Sequence, residues 1–323
     1  MRTSFWKKKR VLVTGADGFM GSHLTDRLLK EGAHVSVYVR GNSVSGTVGY
    51  TLKNIKRHER RLRSILTGNI ASTDSVELIK KSKPEVIFHL AADAYVPNSF
   101  THPREVMESN LTGTVNVLHA GLEMDGIRRI VCTSSSEIYG TAQYAPIDEA
   151  HPLNPSSPYA ASKVAADRTA YSYYNTFGLP VAIIRPFNTF GPRHTYDVIP
   201  KFIRLALESS PITVHGDGKQ SRDFTYVDDM INAFLVMGKH PKAVGEAVNF
   251  GTGRDVNINE TARQIKKISG SKSEIIRVAK RTSEVQRLIC DATKARKLFG
   301  WKARVSFEEG LRKNIAWARQ NPA

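Results

Sequence analysis

Short apolar runs alternate with helical patterns along the first two-thirds of the chain. The apolar runs that predict buried strands are Val11–Thr14, His34–Val39, Glu85–Ala92, Arg129–Thr133 and Pro180–Arg185. Apolar residues at helical spacing predict helices over residues 20–31, Pro103–Leu122 and Pro158–Phe177. Because strands that alternate with helices need crossovers on both faces of a sheet, the pattern indicates an α/β fold with a doubly wound parallel sheet.

The pattern changes after about residue 186. Short strands such as Ile212–Val214 and Ala247–Phe250 follow with loops and helices in no strict alternation. We therefore expect a larger domain with the parallel sheet over 1–185, and a smaller lobe over 186–323 that is interleaved with the sheet. The long polar and basic connection over 41–67 has a role that the sequence leaves open.

Composition excludes several classes of protein. The chain has 323 residues, two cysteines and a net charge of +17. Cys132 and Cys290 form neither a disulfide framework nor a metal site, so a reducing cytoplasm without a bound metal is the expected setting. No apolar run is long enough to span a membrane. The basic clusters lack interleaved aromatic residues, which favours a solvated face over nucleic-acid binding and leaves a polyanion site as the alternative.

A glycine-rich loop, Gly15-Ala16-Asp17-Gly18-Phe19-Met20-Gly21, follows the first predicted strand and opens the first predicted helix. Glycines in this context allow a tight turn and a close backbone approach to a pyrophosphate, while the helix N-terminus attracts the negative charge. The loop therefore predicts a dinucleotide site.

The residues after the second strand bear on the choice of dinucleotide. An NAD site usually has a carboxylate here for the ribose 2′-hydroxyl, but this chain has Val39-Arg40-Gly41-Asn42-Ser43. Because a guanidinium matches phosphate geometry, Arg40 and Ser43 favour NADP, with NAD as the alternative.

Tyr159 and Lys163 lie four residues apart on a predicted helix and therefore share a face. A phenol has an unperturbed pKa near 10, so a base that works near neutrality needs a lowering of about 3 units, and a neighbouring ammonium supplies much of it. The hydroxyl-rich segment Thr133–Ser136 follows another strand and can bind the same substrate oxygen. Together these residues predict a tyrosine that acts as a base on a substrate hydroxyl beside the nicotinamide ring, with a second hydroxyl that binds the same oxygen.

The chain resembles the extended short-chain dehydrogenases/reductases, specifically the NDP-sugar epimerases and dehydratases. The resemblance runs from Val11 to about Asn321. It rests on TGADGFMGSHL, SSSEIYG, YAASK, RPFNTFGPR, GDGKQSRDFTYVDD and GWKARVSFEEGLRKNI. It implies a Rossmann domain with the catalytic residues over 1–185 and a lobe over 186–323 that mainly binds a nucleotide-sugar substrate. It also implies a cofactor that stays bound and is recycled.

The resemblance also implies residue roles. The catalytic residues would be Ser135, Tyr159 and Lys163, with Glu137 as a further base and Ser136 as an assistant. The cofactor contacts would be Gly15, Asp17, Gly18, Phe19, Met20, Gly21, Arg40, Ser43, Asn69, Ile70, Leu90, Ala91, Ala92, Asn110, Thr133, Ser134, Tyr159, Lys163 and Pro186. The substrate contacts would be Asn188, Arg193, Val198, Arg222 and Arg287, the last two suited to a diphosphate.

Glu137 decides which reaction we expect. Relatives begin with oxidation at C4 of the sugar, but a 4,6-dehydratase also removes the C5 proton and expels the C6 hydroxyl, which requires a positioned base. Dehydratases carry glutamate at the position of Glu137, two residues after Ser135, where strand alternation would put both side chains on one face. A 4,6-dehydratase is therefore expected, with a 4-epimerase as the alternative and a UDP-glucuronate decarboxylase next.

Three points stay open at the sequence level. Asn69 replaces an aspartate that contacts adenine in many relatives, which puts the adenine contact in doubt. The segment TAQYAPIDEAHPL resembles NDP-N-acetylhexosamine 4,6-dehydratases, whereas the Arg40 segment resembles GDP-mannose 4,6-dehydratases, so the sugar and the base are undecided. By resemblance we expect a homodimer through the helices near 103–122 and 158–177.

Overall fold

The computed structural model describes residues 4–44, 47–50, 52–280 and 285–322, without the side chains of residues 42–44 and 47–49. Its main feature is a seven-stranded sheet in the order β13-β8-β7-β6-β1-β2-β5. The strands of this sheet are β1 (Arg10–Thr14), β2 (His34–Val39), β5 (Ser64–Thr67), β6 (Val86–His89), β7 (Arg129–Thr133), β8 (Val181–Pro186) and β13 (Ala247–Phe250). From β8 to β5 the strands pair in parallel, which confirms the predicted doubly wound sheet.

The helices agree largely with the sequence pattern. They are α1 (Phe19–Lys30), α2 (Asp74–Ser82), α3 (Asn98–Thr101), α4 (Pro103–Met107), α5 (Gly113–Leu122), α6 (Pro158–Phe177), α7 (Val198–Leu207), α8 (Val227–Lys239), α9 (Ile258–Ser269), α10 (Thr293–Phe299) and α11 (Phe307–Gln320). The predicted helix Pro103–Leu122 is interrupted by a π-helical turn at Glu108–Thr112, which joins α4 to α5. Within the described ranges, no helix has the length and apolarity needed to span a membrane.

The remaining strands are short. They are β3 (Asn42–Val44), β4 (Thr47–Gly49), β9 (Thr189–Phe190), β10 (Ile212–His215), β11 (Ser221–Asp223), β12 (Thr225–Tyr226), β14 (Asp255–Asn257), β15 (Ile275–Val278) and β16 (Arg287–Leu288). The basic connection over 41–67 thus contains the hairpin β3–β4, a 3-10 turn at Lys56–Arg61 and the edge strand β5.

The chain divides into two compact units. The first contains Met1–Ser135, Ser157–Arg185 and Ile231–Val248, and the second contains Ser136–Ser156, Pro186–Met230 and Asn249–Ala323. The chain passes from one unit to the other between residues 185 and 186, where we expect the domain boundary, and also after residues 135, 156, 230 and 248. Ala247–Phe250, expected in the smaller lobe, adds a strand to the main sheet.

The first unit has a core on each face of the sheet. On one face, strand residues such as Leu12 and Ile130 pack in a cluster with Val117 of α5 and Ala170 of α6. On the other, Phe88 contacts the rings of Trp6 and Phe234, with ring centroids 5.6 Å and 6.4 Å apart. The sheet is therefore buried on both faces, as its continuous apolar strands predict.

The second unit has an aromatic core. Phe190 contacts the rings of Tyr226 and Phe307 at centroid distances of 5.7 Å and 5.5 Å, and Phe224 stacks on Phe307 at 5.3 Å. This core holds together β9, β12 and α11, which carry or flank several of the residues expected to bind the substrate.

Candidate active site

The glycine loop lies at the carboxyl end of β1, where the order of the sheet reverses between β2 and β6. Gly15 has a φ of 67°, and a Cβ built on it would lie 2.8 Å from the backbone nitrogen of Ala91. A Cβ on Gly21 would lie 2.2 Å from the carbonyl oxygen of Gly15. The loop, the end of β6 and the first turn of α1 therefore pack too closely for side chains at these two positions.

Helix α1 begins without a capping side chain. Its N-cap residue is Gly18, and the first turn has no acidic residue. The N–H groups at a helix N-terminus and the positive end of the helix dipole suit an anion. Together with the closely packed glycines, this helix start suits an anionic group, and its use by the pyrophosphate of a nicotinamide dinucleotide stays a prediction.

Asp17 in the same loop has partners of its own. Its carboxylate accepts hydrogen bonds from the backbone nitrogens of Lys53, Asn54 and Ile55 at 2.8, 2.7 and 3.1 Å. The side chain therefore fixes the basic connection to the cofactor loop, and a cofactor contact by Asp17 stays a prediction.

Other expected cofactor residues lie at the carboxyl ends of neighbouring strands. The backbone nitrogens of Leu90 and Ala91 both donate to Thr14 Oγ at 3.1 Å, which joins the ends of β1 and β6. Arg40 follows β2 and is exposed, whereas the Ser43 side chain lies outside the described residues. Asn69 follows β5, and its Oδ1 accepts from the backbone nitrogen of Ala71 at 3.1 Å.

Lys163 is buried on α6, and its Nζ donates to the carbonyl oxygen of Thr133 at 3.0 Å. Burial lowers the pKa of this ammonium to about 8. Tyr159 lies one turn earlier on the same helix and is 7% exposed. The first unit thus places the two side chains one helical turn apart on α6, with the lysine anchored beside the segment that leads to Ser135.

Asn110 lies in the π-helical turn and fixes that turn to the catalytic helix. Its Nδ2 donates to Ser162 Oγ at 2.9 Å and to the carbonyl oxygen of Asp93 at 3.1 Å, and its Oδ1 accepts from the Asp93 nitrogen at 2.8 Å. Residues with such partners support the orientation of neighbouring groups, so Asn110 has a structural role besides the expected cofactor contact.

The segment after β7 corrects one expectation. The strand ends at Thr133, and Ser136–Tyr139 form a 3-10 turn, so the argument that Glu137 shares the face of Ser135 by strand alternation is wrong. Glu137 is partly buried, and this burial raises the pKa of its carboxyl group. Arg222 lowers that pKa and Asp197 raises it, so both charges lie close to Glu137 within the second unit.

Two aspartates organise the strands that carry the expected diphosphate ligands. The buried Asp223 accepts from the backbone nitrogens of Thr252 and Gly253, each at 2.8 Å, and so fixes the residue next to Arg222. Asp255 accepts from Arg287 Nε at 2.8 Å. Since β11 pairs with β16, Arg222 and Arg287 lie on adjacent strands.

The other expected substrate residues lie between the end of β8 and the start of α7 in the chain. Asn188 Oδ1 is buried and has no hydrogen-bond partner among the described residues, as expected of a group that awaits a ligand. Val198 begins α7. Arg193 has a φ of 68°, and His194 Nε2 lies 3.2 Å from Asp197 Oδ2.

The expected site residues are therefore divided between the units. Ser135, Tyr159, Lys163 and all of the expected cofactor residues except Pro186 belong to the first unit. Ser136, Glu137, Pro186 and all of the expected substrate residues belong to the second. The described residues include no group of three or more His, Cys, Asp and Glu side chains that could hold a metal ion.

Sequence reasoning missed Asp167, Asp223 and Asp255. Asp167 follows Lys163 by four residues on α6, so its helical spacing was a signal that could have revealed it. Asp223 and Asp255 act through backbone groups and residues distant in sequence, and no local pattern indicates such partners.

Comparison with known proteins gives the chain its family. The sequence model of the GDP-mannose 4,6 dehydratase family matches residues 12–314. A trifunctional UDP-glucose 4,6-dehydratase/UDP-4-keto-6-deoxy-D-glucose 3,5-epimerase/UDP-4-keto-L-rhamnose-reductase of Arabidopsis thaliana is 34% identical over all of this chain, which spans 49% of that protein. A UDP-glucose 4-epimerase of Mycolicibacterium smegmatis is 35% identical over 96% of this chain and 98% of its own length.

A solved structure agrees. The dTDP-glucose 4,6-dehydratase DesIV of Streptomyces venezuelae, determined with NAD bound, has a TM-score of 0.86 and 30% identity, with 96% of this chain and 97% of that chain covered. Similar proteins include dehydratases, epimerases and decarboxylases of nucleotide sugars. The chain belongs to the GDP-mannose 4,6 dehydratase family, among the extended short-chain dehydrogenases/reductases that modify nucleotide sugars.

Proposed function

We propose that the chain is an NDP-sugar 4,6-dehydratase, which converts a nucleotide sugar to its 4-keto-6-deoxy form. The observation that carries the proposal is the position of Glu137. It follows the hydroxyl-bearing Ser135 by two residues, is partly buried, and has a raised pKa with Arg222 close by. A carboxyl group in this setting suits both removal of a proton and its return.

The first step falls to the residues of the first unit. Tyr159 takes the proton of the sugar 4-hydroxyl, Ser135 binds the same oxygen, and the Lys163 ammonium stabilises the phenolate. A bound nicotinamide dinucleotide supplies hydride acceptance at C4 and hydride return at C6. The product of this step is a 4-keto sugar, whose ketone acidifies the C5 proton.

Elimination falls to Glu137. Its carboxylate takes the C5 proton, the C6–O bond breaks, and the carboxyl group passes a proton to the departing hydroxyl, which leaves as water. Ser136 is 3% exposed beside it in the chain and assists by hydrogen bonding. Arg222 and Arg287 hold the diphosphate, with Asn188, Arg193 and Val198 beside the sugar.

For the cofactor we propose NADP, because Arg40 is exposed at the end of β2, where a 2′-phosphate would lie. NAD is the alternative, and solved relatives that hold NAD support it. Mass spectrometry of the dinucleotide released from the denatured protein distinguishes the two. Release of NAD alone contradicts the role of Arg40.

A 4-epimerase is the second candidate, since a UDP-glucose 4-epimerase is among the relatives matched over nearly its whole length. A UDP-glucuronate decarboxylase comes next, because a relative with that activity is 35% identical. Neither reaction requires loss of the C6 hydroxyl. Incubation with UDP-, GDP- and dTDP-sugars followed by mass spectrometry separates them: dehydration removes about 18 mass units, decarboxylation about 44, and epimerisation none.

The variant Glu137→Gln tests the proposed base directly. It keeps the size of the side chain but removes its acid–base function, so we expect the kcat of dehydration to fall about 100-fold or more. Glu208→Gln, at an exposed glutamate directly after α7 in the same unit, is the control and should keep full activity. Full dehydratase turnover by Glu137→Gln would show that another group removes the C5 proton.

We also propose a homodimer through α4–α6. Large apolar side chains on and beside these helices are exposed, including Met107 at 37%, Leu122 at 38% and Phe177 at 55%. Exposed apolar side chains on neighbouring helices are typical of an interface. Light scattering on the eluted protein should give twice the chain mass, and a monomer at micromolar concentration contradicts the proposal.

A further inference from the structure

A buried ion pair lies one helical turn beyond Lys163. Asp167 Oδ2 accepts from Arg185 Nε at 2.8 Å, and Asp167 Oδ1 accepts from Arg185 Nη2 at 3.0 Å. Asp167 belongs to α6 and Arg185 to β8, and they are only 2% and 3% exposed. Two parallel hydrogen bonds therefore fasten the catalytic helix to the sheet.

The pair lies where the strands that position the active residues end. Thr133 of β7 pairs with Ile184 of β8, and the Ser134 nitrogen donates to the Ile184 carbonyl oxygen at 2.8 Å. Arg185 is the next residue of β8, and Lys163 is bonded to the carbonyl oxygen of Thr133. The ion pair and the lysine therefore hold α6 at two adjacent points beside the segment that leads to Ser135.

Stability alone does not explain such a pair. Removing two charges from water is costly, and apolar residues of similar size are often equally or more stabilising. The helical spacing instead points to the active site, because Tyr159, Lys163 and Asp167 follow one another at intervals of four residues on one side of α6.

The charges around Lys163 make Asp167 important. Burial lowers the pKa of the Lys163 ammonium to about 8, while negative charge on Cys132 or Asp167 raises it. Burial also raises the pKa of the Cys132 thiol to about 12 and lowers the pKa of His89 to about 3, so both are uncharged near pH 8. For Asp167, burial raises the pKa, but the bonds from Arg185 lower it below its ordinary value, which keeps this carboxylate charged.

We propose that Asp167, held by Arg185, is a positioning residue for Lys163: the ion pair fixes the helix that carries the lysine and places a buried carboxylate one helical turn from it. The proposal rests on the proposed roles of Tyr159 and Lys163, which the dehydratase and its two alternatives share. Neither residue of the ion pair needs to contact the substrate.

The test removes both charges together, so that neither is left buried alone. The double variant Asp167→Asn with Arg185→Gln is labelled with 13C at the lysine Cε, with its dinucleotide retained, and Lys163 is titrated by NMR. The Lys163 signal is assigned by its loss in Lys163→Met. We expect its midpoint to move to lower pH, because Asp167 raises the pKa of Lys163. The shift should be smaller than the unit or more that a lone opposite charge contributes, because the loss of the Arg185 charge offsets part of it.

Arg168→Gln is the matched control. Arg168 also bonds Asp167, but its side chain is 44% exposed, and its removal leaves the carboxylate and Arg185 in place. The Lys163 midpoint of this control should equal that of the wild type. Asp167→Glu, made with Arg185 unchanged, keeps the negative charge, so its midpoint should lie closer to the wild type than that of the double variant does.

A folded double variant with an unchanged midpoint overturns the proposal. If that variant does not fold, Asp167→Leu with Arg185→Met removes the same charges with apolar side chains and is read in the same way. Because the titration needs no substrate, it stays valid even if the dehydratase proposal fails. With a substrate found in the sugar panel, the alkaline limb of kcat should move to lower pH with the midpoint, while KM changes little.

Discussion

His89 at the end of β6 shows how one buried residue joins three parts of the first unit. Its Nδ1 lies 2.8 Å from Thr14 Oγ and its Nε2 lies 3.1 Å from Thr114 Oγ. Thr14 directly precedes the glycine loop, and Thr114 follows the π-helical turn. Burial and the Lys163 charge lower the pKa of His89 to about 3, so the ring stays neutral and holds these bonds across the working range of pH.

This lowered pKa predicts acid sensitivity. Between pH 6.5 and about 3, the unfolded chain binds a proton at His89 that the folded chain does not, so stability falls as the pH falls. The free energy of unfolding should therefore drop by about 2 kcal/mol between pH 7 and pH 5 from this residue alone. Urea unfolding of His89→Gln should show a smaller drop, whereas the exposed His102→Gln should keep the wild-type slope. Equal slopes in all three proteins contradict the assignment.

At the scale of elements, the π-helical turn at Glu108–Thr112 connects α4 and α5 to the catalytic helix through Asn110. Asn110→Ala removes three hydrogen bonds and leaves Ser162 and Asp93 without those partners. We expect a loss of about 2–4 kcal/mol in unfolding free energy and a lower kcat, measured by urea unfolding and steady-state kinetics. Asn175→Ala, at an exposed position of α6, should change neither. Unchanged stability would mean that the turn does not depend on Asn110.

The same scale shows what the sequence could and could not predict. The strand His34–Val39 and the helix Pro158–Phe177 have the bounds that the sequence pattern predicts. The strand is buried from its second residue to its end, and Ser157 caps the start of the helix while Gly178 follows its end. The strand Ser64–Thr67 was missed, since an edge strand is short and only partly buried within a basic segment. The turns at Glu108–Thr112 and Ser136–Tyr139 were missed because their side chains bond to distant residues, which local spacing does not reveal.

In the candidate site too, some residues could be predicted from the sequence and others could not. Motifs located the glycine loop, Tyr159 and Lys163, since those roles depend on residue type at a fixed spacing. The aspartates that position them form hydrogen bonds to residues from other elements, such as Arg185 for Asp167 and Arg287 for Asp255. Such long-range partners become visible only when the topology is known.

At the scale of the whole molecule, part of the net charge of +17 lies in one cluster of basic residues. The parallel strands of the main sheet begin at one edge, where Lys9, Arg10 and Arg128 surround Glu85 at 3.2, 3.8 and 3.6 Å. Lys83 is exposed in the same place, and its carbonyl oxygen accepts from Arg10 Nε. This edge lies opposite the glycine loop in the sheet, so its charge does not act directly on the candidate site.

We expect this basic edge to be a solvated surface. Binding to a 20-base-pair DNA duplex, followed by fluorescence anisotropy, should be weak at about 50 mM salt and absent at about 200 mM, because only counterion release drives it. Lys83→Glu should weaken it further, and Lys267→Glu on α9 of the second unit is the control. Tight binding that persists at the higher salt would instead indicate a polyanion site.

The three bonds from Asp17 to residues 53–55 have a consequence for the lifetime of the protein. The connection that they hold contains Lys53, Lys56, Arg57, Arg60 and Arg61, each a cleavage point for trypsin-like proteases. Because Asp17 belongs to the cofactor loop, a bound dinucleotide that steadies the loop also shields these peptide bonds. Proteolysis in this connection should therefore proceed faster in the protein without dinucleotide than in the protein with dinucleotide bound, which limited trypsin digestion of the two forms measures.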